Sequence, residues 1–321
     1  FKGAGVVLAG IECSPKIFDF RANGIPDQER VDLFDTLKCH RMYRKYILWH
    51  FLFGLVNMKK NILLIGGDKR MRIAGKELLL EGYGVYTYGL YENDGDNITD
   101  FDTAVLPVPA TRDKITVDCP LTGRKILISD IEKLCSGRTV LSGGLDLKGA
   151  HCTDYLKDTP YKILNAVPTA EGAIAKAIEC SDRTLWQSRV LIIGFGKCSR
   201  AIYERLSGFK CDITVSARSE NDIAELNSLF VKNIKTSEVD RIAGDFDFIF
   251  NTVDLDIIND LPSLKNTVLI DVSSKGCLDF NKANSLGIAA YKLPGIPGKT
   301  APVTAGKTLA RVLSTLIRKG E

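Results

Sequence analysis

The stretch of sequence that decides the fold reads Val190-Leu191-Ile192-Ile193-Gly194-Phe195-Gly196-Lys197-Cys198-Ser199. An apolar run, typical of a buried strand, ends in a Gly-x-Gly turn that opens a helix. In a nucleotide-binding βαβ unit, Gly194 allows the tight turn and Gly196 lets the backbone approach a pyrophosphate at the helix N-terminus. Ser199 replaces the third glycine of the pattern, and a residue this small is tolerable there. The stretch therefore predicts a dinucleotide site, with a glycine turn that binds nothing as the alternative.

The end of the next strand indicates which dinucleotide fits. An enzyme that binds NAD places Asp or Glu about 20 residues after the glycines, where it binds the ribose hydroxyls. Here the strand that ends at Ser216 leads into Ala217, Arg218 and Ser219, so no carboxylate stands at its tip. Arg218 can pair with a 2′-phosphate, and the Ser219 hydroxyl can donate to it. We therefore expect NADP(H) rather than NAD(H), with a solvated loop arginine as the alternative.

Short apolar runs alternate with helical stretches from Asn61 to the end of the chain. Strands are predicted at 61–65, 85–88, 103–107, 126–128, 139–142, 190–193, 212–216, 246–251, 268–272 and 288–292. Helices are predicted at 69–80, at 170–177 with Pro168-Thr169 at its start, and at 304–317. This alternation indicates βαβ units. The predicted fold is α/β, with two Rossmann-like parallel-sheet domains and a cleft between them.

The domain boundaries predicted from this pattern divide the chain into four segments. They are an extension outside the native core at 1–57, a Rossmann-like domain at 58–167, a dinucleotide-binding domain at 168–303, and a helix at 304–321 that packs back on the first domain. The extension carries an apolar run at 47–56, half of the roughly 20 residues that a membrane span needs. A signal peptide is the alternative for this segment, although no A-x-A cleavage site follows the run.

Composition argues against several classes of protein. The 321 residues include 43 Lys and Arg against 39 Asp and Glu, and no basic block is present, so neither nucleic acid nor a membrane is an expected partner. The nine cysteines form no C-x-x-C pair, and none of the three histidines lies within ligand spacing of a cysteine. We expect no metal site. Reduced thiols favour a cytoplasmic protein.

Two segments outside the glycine turn supply candidate catalytic residues. Asn165, Thr169 and Glu171 lie at the junction of the predicted domains, where small-molecule sites usually form. Glu171 is either a general acid/base or a partner of the helix dipole. Arg70 follows the first strand and can bind a substrate carboxylate bidentately, while Asp68 either holds Arg70 or caps the helix.

The segment 293–306 is predicted to be a rigid loop that leads into the last helix. It places backbone N–H groups and Lys299 near a helix N-terminus, which suits a carboxylate or phosphate. The alternative is a turn that only returns the chain to the first domain. The helix N-terminus at Cys198 would lower the pKa of its thiol, but without a nearby histidine we interpret it as a tolerated small residue. The expected cofactor contacts are Gly194, Gly196, Lys197, Cys198, Ser199, Ala217, Arg218, Ser219, Asn251, Thr252, Val253, Pro294 and Gly295.

With these motifs in place, the chain from Met58 onward resembles the A-type subunits of dipicolinate synthase from spore-forming bacteria. The shared motifs are Ile65-Gly66-Gly67-Asp68 with Arg70, Leu106-Pro107-Val108 with Thr111, Pro168-Thr169 with Glu171-Gly172, Gly194-Phe195-Gly196, Ala217-Arg218-Ser219, Asn251-Thr252, and Pro294-Gly295-Ile296-Pro297-Gly298 with Ala301-Pro302 and Thr304-Ala305-Gly306. Several motifs in order are far more specific than any one of them. Ser199, where the family pattern has glycine, is a departure.

The resemblance implies the last step of dipicolinate formation in sporulation, in the cytoplasm of the mother cell. Dihydrodipicolinate would lose a hydride to NADP⁺ and become pyridine-2,6-dicarboxylate. The implied partners are a dicarboxylate substrate and the flavoprotein-like B-type subunit of dipicolinate synthase, and we also expect a homo-oligomer. The residues expected around the substrate are Arg70, Asn165, Thr169, Glu171 and Lys299. The alternative is a non-catalytic NADP-binding protein that supports the flavoprotein partner.

Overall fold

The computed structural model describes residues 59–95 and 100–320, together with the backbone of two short strands near the start of the chain. These two strands, β1 (Val7–Leu8) and β2 (Ile11–Glu12), pair antiparallel. The remaining residues of the predicted extension 1–57 lie outside the described part of the chain.

The first sheet is parallel and has five strands in the order β4-β3-β5-β6-β7. The strands are β3 (Lys59–Ile65), β4 (Tyr83–Tyr88), β5 (Thr103–Val105), β6 (Thr139–Ser142) and β7 (His151–Asp154). Helix α1 (Lys69–Leu80) follows β3, α2 (Ile128–Leu134) precedes β6, and a 3₁₀ turn at Tyr155–Lys157 follows β7. Residues 62–65 of β3 are fully buried, as expected for a parallel strand that is covered on both faces.

The second sheet is parallel and has six strands in the order β10-β9-β8-β11-β12-β13. The strands are β8 (Arg189–Ile193), β9 (Asp212–Ala217), β10 (Lys232–Lys235), β11 (Phe248–Asn251), β12 (Val268–Asp271) and β13 (Ala290–Lys292). The helices between them are α4 (Lys197–Ser207), α5 (Glu220–Ser228), α6 (Val239–Ile242) and α7 (Phe280–Ser285), with 3₁₀ turns at Thr236–Glu238, Ala243–Asp245 and Leu261–Asn266. The strand order reverses between β8 and β11, which opens a crevice at their carboxyl ends. The predicted α/β fold with two Rossmann-like parallel sheets is confirmed.

Helix α3 (Thr159–Glu179) connects the two sheets. Asp158 caps it, because the Asp158 side chain accepts a hydrogen bond from the backbone N–H of Tyr161. The prediction that this helix begins at Pro168 is wrong, since Pro168 lies inside it and costs it one backbone hydrogen bond. The helix continues because its alanine-rich second half is buried against the second sheet. The domain boundary predicted between residues 167 and 168 therefore falls within a continuous helix.

After β13 the chain returns to the first sheet. The segment predicted as a rigid loop contains a short helix, α8 (Ile296–Thr300), and α9 (Pro302–Lys319) then packs along α1. At Gly306 the two helices nearly touch, since a Cβ there would lie 2.6 Å from Ile73 Cβ and 2.8 Å from the Arg70 carbonyl oxygen. None of the helices among the described residues is long and apolar enough to cross a membrane.

Three strands differ from the prediction. The strand at 126–128 is wrong, because Leu127 forms only an isolated antiparallel bridge with Thr116 before α2 begins. Strands β7 and β10 were not predicted. Each lies at the edge of its sheet, where one side is open to solvent, and its residues are too polar to show a strand pattern.

Candidate functional site

The glycine turn after β8 has the geometry of a nucleotide-binding loop. Gly194 has φ +99°, and a Cβ on it would lie 2.6 Å from Val253 Cγ1, so no larger residue fits without strain. At Gly196 a Cβ would meet nothing within 4 Å, which leaves the backbone open to a ligand. No side chain among the described residues caps the 11-residue helix α4 that follows. Its first N–H groups therefore suit a pyrophosphate, and this loop fits the cofactor that the fold implies.

The two residues that follow Lys197 contribute to packing more than to reactivity. Ser199 is buried, and its hydroxyl donates to the Gly196 carbonyl at 2.9 Å, so it takes the place of the third glycine without blocking the turn. Burial raises the pKa of the Cys198 thiol. The prediction that the helix N-terminus lowers this pKa is wrong, because desolvation dominates here, whereas the interpretation of Cys198 as a tolerated small residue still fits.

The turn after β11 lies against the glycine turn. Thr252 donates to the carbonyl oxygen of Ile193 through both its backbone N–H, at 3.1 Å, and its hydroxyl, at 2.8 Å. Asn251 is fully buried, and its amide accepts from the backbone N–H of Val253 at 3.2 Å and donates to the Val253 carbonyl at 2.9 Å. The Asn251 side chain therefore shapes the turn from within, and its contact with the cofactor stays a prediction.

The tip of β9 presents an arginine to solvent. Ala217 is buried as the last residue of the strand, and Arg218 is exposed, with no ion pair to any residue in the described ranges. The hydroxyl of Ser219 caps α5 by accepting from the backbone N–H of Asp222 at 3.1 Å. Glu220, in the first turn of α5, pairs with Lys235 at 2.7 Å. The tip therefore offers Arg218 to an anion, while the carboxylate nearest in sequence is already paired.

A cleft of about 290 Å³ lies between the glycine turn and helix α3. The residues that line it are Leu156, Tyr161, Lys162, Asn165, Ala166, Gly196, Lys197, Cys198 and Thr252. Lys162 and Lys197 are the charged side chains of this lining, which includes no carboxylate from the described residues, so the cleft favours an anionic ligand. Burial raises the pKa of Tyr161 to about 12, against the opposing charge of Arg70, and its phenol is a neutral hydrogen-bond donor at neutral pH.

Asn165 lines the cleft, and its predicted contact with substrate stays a prediction. Its Oδ1 is buried and has no hydrogen-bond partner within the described part of the chain. Thr169, one turn further along α3, is buried, and its hydroxyl donates to the Asn165 carbonyl at 2.8 Å. The Thr169 hydroxyl proton is thus used inside the helix, and the contact of Thr169 with substrate stays a prediction.

Arg70 is buried and does not line the cleft. Its guanidinium forms an ion pair with Asp68 at 2.8 Å and donates to the carbonyl oxygen of Val108. Gly298 of α8 covers the pair, since a Cβ there would lie 2.8 Å from Arg70 Nε. In this structure the Arg70 guanidinium is taken up by these partners within the protein, and its bidentate contact with substrate stays a prediction. Both roles considered for Asp68 hold, as it binds the Arg70 side chain and also caps α1.

Glu171 and Lys299 also lie away from the cleft lining. The Glu171 side chain is 61% exposed and accepts from Arg205 of α4 at 3.2 Å, and its contact with substrate stays a prediction. Lys299 is exposed on α8. Pro294 and Gly295 precede the same helix, and Gly295 has φ +67°. The structure therefore brings together the phosphate-loop residues, Thr252 and Asn165, but not Arg70, Glu171 or Lys299.

Tyr161 and Lys162 are cleft residues that were not predicted from the sequence. A signal for them was present, since Asp158 followed by Thr159-Pro160 is a helix start of the N-cap and N1/N2-proline type. A helix that begins there places Tyr161 and Asn165 on one face, four residues apart.

Family models match both halves of the chain. Residues 61–155 match the model of the N-terminal domain of the dipicolinate synthase A-type subunit, and residues 189–275 match that of the coenzyme F420-dependent NADP oxidoreductases. The A-type subunit of dipicolinate synthase from Bacillus subtilis (strain 168) is 27% identical over 285 residues, which span 80% of this chain and 95% of that protein.

Solved structures of dipicolinate synthase A chains also match this chain. The dipicolinate synthase A chain from Bacillus subtilis superposes with a TM-score of 0.72 at 27% identity, and the match covers 82% of this chain and 98% of that one. Its counterpart from Bacillus halodurans gives 0.72 at 26% identity, with 80% and 97% covered. A pyruvate reductase of Chlamydomonas reinhardtii shares the fold alone, with a TM-score of 0.53 at 12% identity over 81% of this chain and 96% of that one. The second sheet thus belongs to an oxidoreductase-type domain for a nicotinamide cofactor, and the resemblance to the A-type subunits of dipicolinate synthase predicted from the motifs is confirmed.

Proposed function

We propose that this chain binds NADP(H) at the crevice between β8 and β11 and transfers a hydride between it and a small dicarboxylate in the adjoining cleft. The lining of that cleft is the observation that carries the proposal. The phosphate loop forms one wall, α3 forms the other, and the charges between them are the two cations Lys162 and Lys197. Lys197, at the start of α4, neutralises the pyrophosphate, and Lys162 on the opposite wall binds a substrate carboxylate.

The proposed reaction is the oxidation of dihydrodipicolinate to dipicolinate, as the names of the relatives suggest. A bound NADP⁺ supplies the hydride acceptor, and the substrate loses one hydride and one proton to become an aromatic pyridine. Lys162 orients a carboxylate, and Tyr161 donates a hydrogen bond from its neutral phenol. The proton leaves to water, because the described cleft lining includes no carboxylate and aromatisation itself drives the step.

We further propose that the cofactor is NADP rather than NAD. The exposed Arg218 at the tip of β9 lies where the 2′-phosphate of a dinucleotide falls in this fold. The Ser219 hydroxyl accepts a hydrogen bond from the backbone N–H of Asp222, and its own O–H stays available to donate to the 2′-phosphate beside Arg218.

The word "subunit" in the names of the relatives supports a second chain, which we take to be the flavoprotein-like B-type subunit, with the assembly acting in the mother-cell cytoplasm during sporulation. We also propose that this chain forms a homo-oligomer. A second candidate function is a nucleotide-binding protein whose partner carries the chemistry. This second candidate is favoured by the cleft lining, which holds neither a histidine nor a carboxylate from the described residues that could act as an acid or base.

Cofactor titration and turnover test the proposal. Purified protein should bind NADPH more tightly than NADH, and Arg218→Ala should weaken NADPH binding by roughly 10- to 150-fold, since a hydrogen bond to a charged group contributes about 1.5–3 kcal/mol. NADH binding should stay unchanged. An equal loss for both cofactors would remove the case for a 2′-phosphate contact. Turnover of dihydrodipicolinate by the chain alone supports the oxidoreductase, whereas turnover only by the complex favours the second candidate.

A separate variant tests whether the substrate binds in this cleft. Lys162→Ala should raise the KM for dihydrodipicolinate about 10-fold without a change in NADPH affinity, because it removes one carboxylate contact. Lys157→Ala is the matched control, since Lys157 is an exposed lysine just outside the cleft lining. If Lys162→Ala turns over with the KM of the wild type, the substrate does not bind in this cleft.

A further inference from the structure

The end of β12 holds a buried carboxylate that the cofactor contacts do not use. Asp271 is fully buried and lies beside Asn251 in the sheet register. It accepts from Asn251 Nδ2 at 2.7 Å, and from the backbone N–H and hydroxyl of Ser273 at 2.8 and 2.6 Å. The buried thiol of Cys277 lies nearby, and burial together with the charge of Asp271 raises its pKa. All of these partners are neutral, and burying a carboxylate without a cation is costly unless the carboxylate has a structural or functional task.

The hydrogen bonds of Asp271 lead directly to the cofactor crevice. Asp271 fixes the amide of Asn251, which holds Val253 by its N–H and its carbonyl. In the turn that these bonds hold, the Thr252 hydroxyl donates to the Ile193 carbonyl oxygen, and Val253 packs against Gly194. Each link is a hydrogen bond or a van der Waals contact between buried or half-buried groups. The conformation of the β11 turn thus depends on a carboxylate on the neighbouring strand.

We infer that Asp271 is a positioning residue that sets the affinity for the nicotinamide half of the dinucleotide. This inference rests on the proposed function. A dinucleotide lies across the crevice where the strand order reverses, with its adenosine half over β8 and β9 and its other half toward β11. The β11 turn therefore meets the nicotinamide half, while Arg218 and the phosphate loop bind the rest.

An Asn in place of Asp271 tests this with little change in shape. Asp271→Asn turns one acceptor oxygen into an NH₂ group that faces donors, either Asn251 Nδ2 or the N–H and hydroxyl of Ser273. The β11 turn should then lose its fixed conformation. NADPH should bind about 10-fold more weakly, while 2′-phosphoadenosine 5′-diphosphate, which lacks the nicotinamide riboside, should bind as it does to the wild type. Isothermal titration with the full chain measures both affinities.

Two further variants complete the experiment. Ser273→Ala removes one donor to Asp271 and should show the same split between the two ligands, to a smaller degree, even if Asp271→Asn does not fold. Asp279→Asn is the control, because Asp279 caps α7 by accepting from the backbone N–H groups of Asn281 and Lys282. Equal weakening of both ligands, or wild-type affinities throughout, would overturn the inference and leave the proposed function standing. A wild-type chain that binds neither ligand would overturn the proposed function, and the inference with it.

Discussion

Replacing Arg70 with alanine separates a structural role from a substrate-binding one. The Arg70 side chain is 7% exposed, and its removal leaves Asp68 and the Val108 carbonyl without their guanidinium partner. Breaking a buried ion pair costs about 3–5 kcal/mol, and we expect the lower end because the Asp68 side chain is 28% exposed. At roughly 2–4 °C per kcal/mol for a chain of this size, Arg70→Ala should lower Tm by about 6–12 °C.

Thermal unfolding followed by circular dichroism measures this effect, with Arg112→Ala as the matched control. Arg112 also pairs with an aspartate, Asp118, at 2.8 Å, but its side chain is 63% exposed. Its loss should cost less than about 1 kcal/mol, because solvent screens such a pair. If Arg70→Ala melts within about 2 °C of the wild type and instead raises the substrate KM, the buried pair is not a structural clamp, and Arg70 meets the substrate after all.

Three further substitutions have expected outcomes. Gly194→Ala should reduce NADPH affinity by more than about 10-fold in a fluorescence titration, because the new Cβ overlaps Val253 and φ is positive; affinity equal to the wild type would mean that the two turns move apart freely. Glu171→Gln should leave kcat unchanged, since the carboxylate is mostly exposed and pairs with Arg205; a marked fall in kcat would restore Glu171 as an acid/base. Gly306→Ala should destabilise the fold by about 1–3 kcal/mol in urea unfolding through overpacking of α9 on α1, and an unchanged midpoint would show that the helices can separate at no cost.

The interior strands could be predicted from sequence, whereas the edge strands and part of the cleft could not. Apolar runs such as 190–193 are buried on both faces, so their pattern is unambiguous. β7 and β10 read as polar loops because only their pairing within the sheet makes them strands. Pro168 looked like a helix start because proline favours that position, and tertiary packing overrode the preference.

In the candidate site, too, features set by adjacent residues could be predicted, whereas features set by packing could not. The phosphate loop follows from local sequence, because glycine conformation and a helix N-terminus are properties of adjacent residues. The packing of α8 covers Arg70, and the packing of α4 gives Glu171 its ion pair with Arg205; no local pattern contains either arrangement. A cation or carboxylate in a suggestive motif is therefore a candidate until its neighbours in space are known.

The return of α9 to α1 has a consequence for how the protein is made. Leu309, Leu313 and Ile317 of α9 complete the core that contains Met71 and Leu78 of α1. While the chain is being translated, the strands of the first sheet leave the ribosome long before α9 exists. The apolar face of α1 must then stay open to water, and to chaperones, until the whole six-stranded sheet has been synthesised. A nascent chain stalled anywhere before α9 would expose that face, which makes truncated products of this protein prone to aggregation.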